Sequence, residues 1–237
     1  MTRRIGLLMT NTDESAFASR HPKDGEKFAR LMHAVRPGWS MTVFSVKDGL
    51  FPEAASDFDG YIITGSPASV HDEAPWVETL FSFVRRLDVS KTPTVGCCFG
   101  HQAIAKALGG KVECNPEGWG FGTAETSFAR QENWMQPHSS TLTLFAAHNE
   151  QVTVLPPGAV GLGGSDHCPF ASFIVGEHFF TTQYHPEMTA EFMTALSVEI
   201  EKYVGADLVA AARTQVKSAT DGVQFAEWMA RFLEMKR

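Results

Sequence analysis

Residues 94–110, TVGCCFGHQAIAKALGG, join a short apolar run to a helix-like run through two adjacent cysteines. Residues 92–96 predict a strand, and residues 102–108 predict a helix that Gly109 and Gly110 end. A strand followed at once by a helix is half of a crossover unit, and parallel sheets are built from such units. This stretch therefore predicts an α/β fold.

The residues before this stretch repeat the alternation of strands and helices. Apolar runs predict three further strands, and two segments carry apolar residues at helical spacing. Asp72 is a plausible N-cap of the second helix, and Pro75 suits its first turn. Because helices separate the strands, the connections are expected to be crossovers and the sheet parallel. The predicted strands are residues 5–9, 41–46 and 61–64, and the predicted helices are residues 24–35 and 72–87.

The second half of the chain has a different pattern. Residues 111–185 hold several short extended runs, separated by turn residues such as Asn115 and Pro116. This pattern predicts antiparallel hairpins that are added to the same sheet. From about Thr189 onward the chain is predicted to be helical again, and no repeat or long linker divides it. Residues 1–237 are therefore predicted to form a single domain.

An apolar stripe marks one face of the last predicted helix. We interpret the stripe as core packing, and a contact between protomers is the alternative, so an oligomer is possible. The stripe consists of Phe225, Met229, Phe232 and Met235.

Composition and charge exclude several classes of function. The chain is 43% hydrophobic and 20% charged, with a formal net charge of −7 and no long basic run, which does not fit a nucleic-acid-binding protein. No apolar run is long enough to cross a membrane. The four cysteines, two of them adjacent, make a poor disulfide framework. The sequence therefore predicts a cytoplasmic protein with reduced thiols and with neither nucleic acid nor membrane as partner.

Cys98, and not Cys97, has the spacing of a nucleophile. Residues 96–100 read G-C-C-F-G, and centred on Cys98 this is G-x-C-x-G between a strand and a helix, the thiol form of the nucleophile elbow. Gly96 and Gly100 remove side chains that would collide with the neighbouring strand and helix. Centred on Cys97, both flanking residues would be bulky. An inert buried thiol is the alternative interpretation of any single cysteine.

A thiol nucleophile needs a partner that lowers its pKa from ~8.5 to about 7, which requires about 2 kcal/mol. A helix N-terminus supplies only ~0.3–1 kcal/mol, so a cationic histidine is the usual partner. His185 ends an extended run, and Glu187 follows across Pro186, where extended backbone points both side chains the same way. His148 with Glu150 is the rival pair. Spacing alone does not choose between them.

Metal and nucleotide sites have weaker support. A metal site built from Cys97, Cys98 and His101 would be strained, since paired zinc-binding cysteines are usually spaced C-x₂₋₄-C. No glycine-rich dinucleotide loop follows the first strand. No G-x-x-x-x-G-K-[ST] phosphate loop is found in the sequence. We therefore predict neither a metal nor a cofactor.

Three motifs together resemble the class I glutamine amidotransferase domain, and in particular its stand-alone GMP-synthase-like members with a catalytic triad. Residues 96–102 match G-x-C-x-G-x-Q, residues 185–187 match HPE, and residues 63–76 look like the loop after the third strand. The resemblance covers about residues 5–190 and leaves a helical extension of about residues 190–237. Shorter stretches that also match are residues 110–112, 118–122 and 148–152.

The resemblance implies a flavodoxin-like fold, with a mostly parallel central sheet, flanking helices and an antiparallel extension. It implies that Cys98 attacks the side-chain amide carbon of glutamine. It further implies that His185 moves the proton to the leaving ammonia and that Glu187 orients the imidazole. His148 is then expected in a loop that lines the site.

The resemblance also assigns the groups that hold the substrate. Backbone N–H groups of Phe99 and of the loop at Gly65 and Ser66 would hold the oxyanion, and Gln102 would bind the glutamine moiety. Water would then release glutamate from a Cys-linked thioester. One departure stands out, because Gly120 replaces a glutamate that is found in relatives, which leaves recognition of the substrate's α-amino group unexplained.

Three functions fit these features. The first is a glutaminase-type amidotransferase, whose ammonia passes to a synthetase or other acceptor protein. The second is a γ-glutamyl peptidase or hydrolase that uses the same three residues. The third is a catalytically idle regulatory or binding subunit. A substrate panel that compares glutamine with γ-glutamyl dipeptides separates the first two.

Overall fold

A sheet of nine strands is the central element of the computed structural model, which describes residues 2–235. A separate ribbon of two strands lies beside it. The strands are β1 (Arg4–Met9), β2 (Ser40–Ser45), β3 (Gly60–Ile63), β4 (Thr94–Cys97), β5 (Lys111–Cys114), β6 (Gly120–Phe128), β7 (Thr141–His148), β8 (Glu150–Val154), β9 (Ala159–Gly164), β10 (Ser172–Val175) and β11 (Phe179–Thr182).

Helices pack on both faces of this sheet. Short 3₁₀ turns at Ala18–Arg20, Val46–Asp48 and Ala55–Asp57 lie in the connections. The helices are α1 (Asp24–Val35), α2 (Pro75–Ser90), α3 (Phe99–Ala107), α4 (Ala190–Val204), α5 (Ala206–Gln215) and α6 (Gly222–Glu234).

The sheet has a parallel part and an antiparallel part. Five neighbouring strands, in the order β2-β1-β3-β4-β11, are parallel. Strands β10, β9, β6 and β7 continue the sheet in antiparallel fashion. The predicted α/β class, with a parallel sheet and an antiparallel extension, is therefore confirmed.

The prediction that every hairpin would extend the main sheet was wrong for β5 and β8. These two strands pair only with each other, as an antiparallel ribbon. Their buried side chains Val112 and Val152 belong to the same apolar cluster as Ile104 of α3. Packing against the helix therefore holds the ribbon outside the main ladder.

Side chains of the parallel strands alternate between two apolar layers. Ile62 and Val95 face the layer that contains α1 and α6, whereas Tyr61 and Ile63 face the layer that contains α2 and α3. Strands that are buried on both faces read as continuous apolar runs rather than as alternating ones. This is why the runs in the first half of the sequence were recognisable.

The apolar stripe of the last helix lies in the core, as predicted. Phe225, Met229 and Phe232 are at most 1% exposed. Phe225 stacks on Phe180 of β11 with 5.1 Å between ring centroids. The alternative of a contact between protomers is wrong for these three side chains, since the chain itself covers them. Helix α6 therefore completes one helical layer of the fold.

Two helix starts differ from the sequence prediction. Helix α2 begins at Pro75 with Ala74 as N-cap, so the assignment of Asp72 as its cap was wrong. The Asp72 carboxylate instead accepts a hydrogen bond from the backbone N–H of Ser69 at 3.1 Å, because the chain makes a turn before the helix. Helix α3 begins at Phe99, directly after the Cys98 turn.

Between residues 2 and 235, no helix combines the length and apolarity that crossing a membrane requires.

Candidate active site

Cys98 lies on the sharp turn between β4 and α3. Its backbone angles are φ 50° and ψ −109°, and a positive φ is strained for a residue other than glycine. Two hydrogen bonds hold it there. The Cys98 N–H donates to the Thr182 carbonyl at 2.9 Å, and the Cys98 carbonyl accepts from the Gln102 N–H at 3.1 Å. The neighbouring strand and helix therefore hold the strained backbone of Cys98 in place.

Gly96 and Gly100 allow this turn to close. A Cβ atom on Gly96 would lie 2.7 Å from the Gly100 carbonyl oxygen, and one on Gly100 would lie 2.9 Å from Cβ of Ile63. Real Cβ atoms do not approach other atoms so closely, so any side chain would force the backbone to move. These are the collisions that the sequence spacing predicts.

His185 and Glu187 form a buried pair next to this turn. Nδ1 of His185 lies 2.8 Å from Oε1 of Glu187, and the two side chains are 5% and 1% exposed. A Cβ atom on Gly65 would lie 2.8 Å from Cε1 of His185 and 3.5 Å from Cβ of Cys98. The structure therefore brings the Gly65 loop, the thiol and the imidazole together, with Nε2 as the ring nitrogen left for Cys98.

The surroundings of His185 favour its charged form. Burial by itself lowers the pKa of His185, but the Glu187 carboxylate and the Cys98 side chain, as charges and hydrogen-bond partners, hold that pKa well above its usual range. A histidine that keeps its proton beside a thiol stabilises the thiolate. Cys97 has the opposite environment. It is fully buried, and burial raises its pKa well above that of a free thiol.

The rival pair of His148 and Glu150 is arranged differently. His148 is the last residue of β7 rather than part of a loop. Its Nδ1 lies 3.1 Å from the backbone carbonyl of Glu150, not from the carboxylate. A carbonyl only accepts hydrogen bonds, so Nδ1 carries the proton and Nε2 is an acceptor. Burial lowers the pKa of His148 to about 4, and its ring stays neutral.

The predicted oxyanion donors lie around Cys98 without protein partners. No hydrogen-bond acceptor for the backbone N–H groups of Gly65, Ser66 and Phe99 occurs among residues 2–235. The flanking N–H groups of Thr64 and Gly100 do donate hydrogen bonds. Buried backbone donors are nearly always paired, so these three groups can serve a ligand at the thiol.

One side of Cys98 opens into a cavity of about 130 Å³, called here the inner cavity. Gln102 lines it, but its Nε2 atom already donates to the Glu150 carbonyl at 2.7 Å and to Oε1 of Gln183 at 3.1 Å. Only its carbonyl oxygen remains for a ligand. The lining also includes Ser66, Cys98, Trp119, His148 and Glu150.

Glu150 is a site residue whose place the sequence did not reveal. Among the described residues that line the inner cavity, it is the one with a carboxylate. Its two oxygens lie 2.9 and 2.8 Å from Oγ of Ser69, whose single hydroxyl hydrogen they share. Gly120 pairs across the strands with His148, and a Cβ atom there would lie 2.8 Å from Nε2 of His148. The His148 ring therefore takes the space of a side chain at position 120.

The alternative metal cluster at the cysteine pair has no geometric counterpart. Nδ1 of His101 lies 2.9 Å from Oγ1 of Thr181, and its ring packs on Phe173. Across the described part of the chain, no three histidine, cysteine, aspartate or glutamate side chains are grouped as metal ligands would be.

Comparison with known families identifies the class of protein to which this fold belongs. Residues 29–196 match the family model described as glutamine amidotransferase class-I. The chain therefore belongs to the class I glutamine amidotransferase family.

Curated relatives within this family have different names. Over 164 residues the chain is 31% identical to γ-glutamyl peptidase 3 of Arabidopsis thaliana, a match that spans 66% of each chain. It is 32% identical over 136 residues to one subunit of the glutamine-hydrolysing GMP synthase of Methanosarcina mazei, over 57% of this chain and 67% of the relative. The matched part is thus about two thirds of each relative's length.

Solved structures share the fold. A glutamine amidotransferase from Thermotoga maritima superposes with a TM-score of 0.78 at 18% identity, over 98% of both chains. One from Methylobacillus flagellatus has a TM-score of 0.75 at 21% identity, over 99% of this chain and 95% of the other. At these identities the likeness concerns the fold alone.

Proposed function

We propose that this chain is an enzyme that hydrolyses γ-glutamyl amides through a thioester on Cys98. Glutamine is the simplest member of this class of substrates. The observation that carries the proposal is the strained Cys98 turn beside a His185 ring that Glu187 holds at 2.8 Å. The nucleophile lies next to the base, and the base is oriented by a carboxylate, as in other hydrolytic triads.

The reaction needs only groups of this site and water. Sγ of Cys98 attacks the δ-carbonyl carbon, and the N–H groups of Phe99, Gly65 and Ser66 hold the oxyanion. The C–N bond breaks as the leaving nitrogen takes the proton of His185. Water then loses a proton to the same ring, attacks the thioester and releases glutamate and the thiol. One oxyanion donor accounts for about 10²–10³ in rate in measured cases.

The inner cavity is the proposed place for the glutamyl moiety. We assign the α-ammonium group to the Glu150 carboxylate, because Gly120 offers none and Glu150 lies in the same cavity as Cys98. The carbonyl oxygen of Gln102 adds an acceptor. In this proposal Glu150 recognises the α-amino group, in place of the residue that relatives have at position 120.

A second candidate is a glutaminase component that passes ammonia to a synthetase partner. The similarity to a GMP synthase component favours this candidate. The similarity to γ-glutamyl peptidases favours release of a larger amine. A catalytically idle protein is the remaining alternative, and it predicts no turnover at all.

Glutamate release from a panel of glutamine and γ-glutamyl dipeptides tests the proposal. We expect turnover of at least one of these substrates by the wild type and none by Cys98→Ser, with Cys97→Ser as the matched control that retains activity. Turnover of glutamine that rises only when a synthetase is added would favour the second candidate. Equal activity of the wild type and Cys98→Ser would refute both.

A further inference from the structure

Cys98 also lines a second cavity, together with His185, and a third cavity adjoins that one. Of these two, the first, of about 140 Å³, reaches from Cys98 and His185 to Lys27 and Phe192. The other, of about 310 Å³, is also lined by Lys27 and Phe192, and Phe17 lines both cavities. Because the two share these lining residues, they adjoin each other, and we call them together the outer pocket.

The position of His185 indicates which part of the substrate the outer pocket would hold. His185 lines the outer pocket but not the inner cavity. The residue that protonates a leaving nitrogen must lie within hydrogen-bond reach of it. The leaving group is therefore expected in the outer pocket, which His185 lines, and the glutamyl moiety in the inner cavity.

The outer pocket is far larger than ammonia requires. A molecule of the size of water takes up about 30 Å³, whereas the two parts of the pocket measure about 140 and 310 Å³. This space is large enough for an amine that carries a side chain.

Three aromatic rings cluster in the wall of the outer pocket. The ring centroids of Phe17 and Phe192 are 5.8 Å apart, and the His21 ring lies 4.5 Å from Phe17 and 5.3 Å from Phe192. Nζ of Lys27 lies 3.5 Å from the Phe192 centroid and 2.9 Å from the Asp24 carboxylate. The charge of Lys27 is thus matched by Asp24. The part of the outer pocket next to Cys98 adds the apolar side chains Met188, Leu196 and Ile200. The larger part also has polar and charged lining residues, among them Asp13, Glu14 and Lys47.

We infer that the outer pocket binds the amine half of a γ-glutamyl amide whose side chain is apolar or aromatic, with Phe192 and Phe17 as the specificity-determining residues. The inference rests on the proposed function. It adds the identity of the leaving group, which is an amino acid or similar amine rather than ammonia. The covalent steps are unchanged, since the released amine takes the same proton from His185.

The test measures kcat/KM for γ-glutamyl-phenylalanine, γ-glutamylglycine and glutamine. We expect the wild type to favour γ-glutamyl-phenylalanine over γ-glutamylglycine. Phe192→Ala is expected to reduce that preference by about tenfold, the size of one lost aromatic contact, and Phe192→Leu to retain part of it. Val198→Ala is the matched control, because Val198 lies on the same helix α4 but is 63% exposed.

Two outcomes would overturn the inference while the proposed function stands. One is equal kcat/KM for the two dipeptides in the wild type, and the other is a preference that Phe192→Ala leaves unchanged. Failure of the proposed function is a separate result, in which no substrate releases glutamate. In that case calorimetric binding to Cys98→Ala decides, since the outer pocket predicts tighter binding of γ-glutamyl-phenylalanine than of γ-glutamylglycine, and equal binding refutes it.

Discussion

Nδ1 of His185 lies 2.8 Å from Oε1 of Glu187, and both side chains are buried. The pair forms where strand β11 has ended, and the backbone N–H of His185 donates to the Phe145 carbonyl of β7 at 2.8 Å. The imidazole is therefore fixed by its own carboxylate on one side and by the antiparallel part of the sheet on the other. Its remaining ring nitrogen is left for the thiol of Cys98.

Glu187→Gln keeps the shape of this pair and removes its charge. Burial then acts on His185 without the compensating carboxylate, so the pKa of His185 is expected to fall, as an NMR titration of the ring would measure. We expect kcat to drop by about 10²-fold or more, by analogy with other triads that lose the orienting carboxylate. An unchanged His185 pKa in the variant would show that Glu187 does not hold the proton in place.

Glu150→Gln tests the proposed contact with the α-ammonium group. Loss of one charge-assisted hydrogen bond corresponds to ~1.5–3 kcal/mol, so we expect KM for glutamine or a γ-glutamyl peptide to rise by about tenfold or more. Glutaramic acid, which lacks the α-amino group, is the control substrate, and its kinetics should not change. An equal loss with both substrates would mean that Glu150 acts only through Ser69 and the loop.

Gly100→Ala tests the closeness of the turn to strand β3. The added Cβ atom would lie 2.9 Å from Cβ of Ile63, and forced overpacking typically costs about 1–3 kcal/mol. We expect urea unfolding to show a loss of this size, together with lower activity. Gly38→Ala is the matched control, because nothing lies within 4 Å of its added Cβ. Equal stability of the two variants would contradict the proposed geometry.

Two buried histidines are expected to make the fold sensitive to acid. Burial lowers the pKa of His101 to about 3 and that of His148 to about 4. Below pH ~6.5 the unfolded chain binds protons that the folded chain does not, so stability falls with falling pH. Each histidine should contribute about 2 kcal/mol of this fall between pH 6.5 and pH 5.

His101→Gln isolates one of these contributions. Urea unfolding is measured for the variant and the wild type at pH 6.5 and pH 5. In the difference between the two proteins, the contributions of the other titrating groups to the free energy of unfolding cancel. The fall in the free energy of unfolding should be about 2 kcal/mol smaller in the variant. The same fall in both proteins would show that His101 is protonated in the folded state.

The turn at Cys98 could be predicted from sequence because its constraint is local. The positions two residues before and after Cys98 must lack side chains, and glycine occupies both. The buried parallel strands were also recognisable, since strands covered on both faces form continuous apolar runs.

Long-range contacts could not be predicted in the same way. Both His148 and His185 have a glutamate two residues later, and the difference lies in what the carboxylate touches. Glu150 bonds to Ser69, which is distant in sequence, whereas Glu187 bonds to its own histidine. Two further contacts join residues that are distant in sequence and so could not be predicted either. They are the pairing of β5 with β8 and the approach of Phe17 to Phe192.

Mass spectrometry of the protein quenched during turnover of a γ-glutamyl substrate tests the central claim most directly. The thioester should be found in the wild type and in Cys97→Ser, on the peptide that contains residue 98, and it should be lost in Cys98→Ser. A glutamyl adduct that disappears in Cys97→Ser but persists in Cys98→Ser would contradict the assignment of Cys98 as the nucleophile.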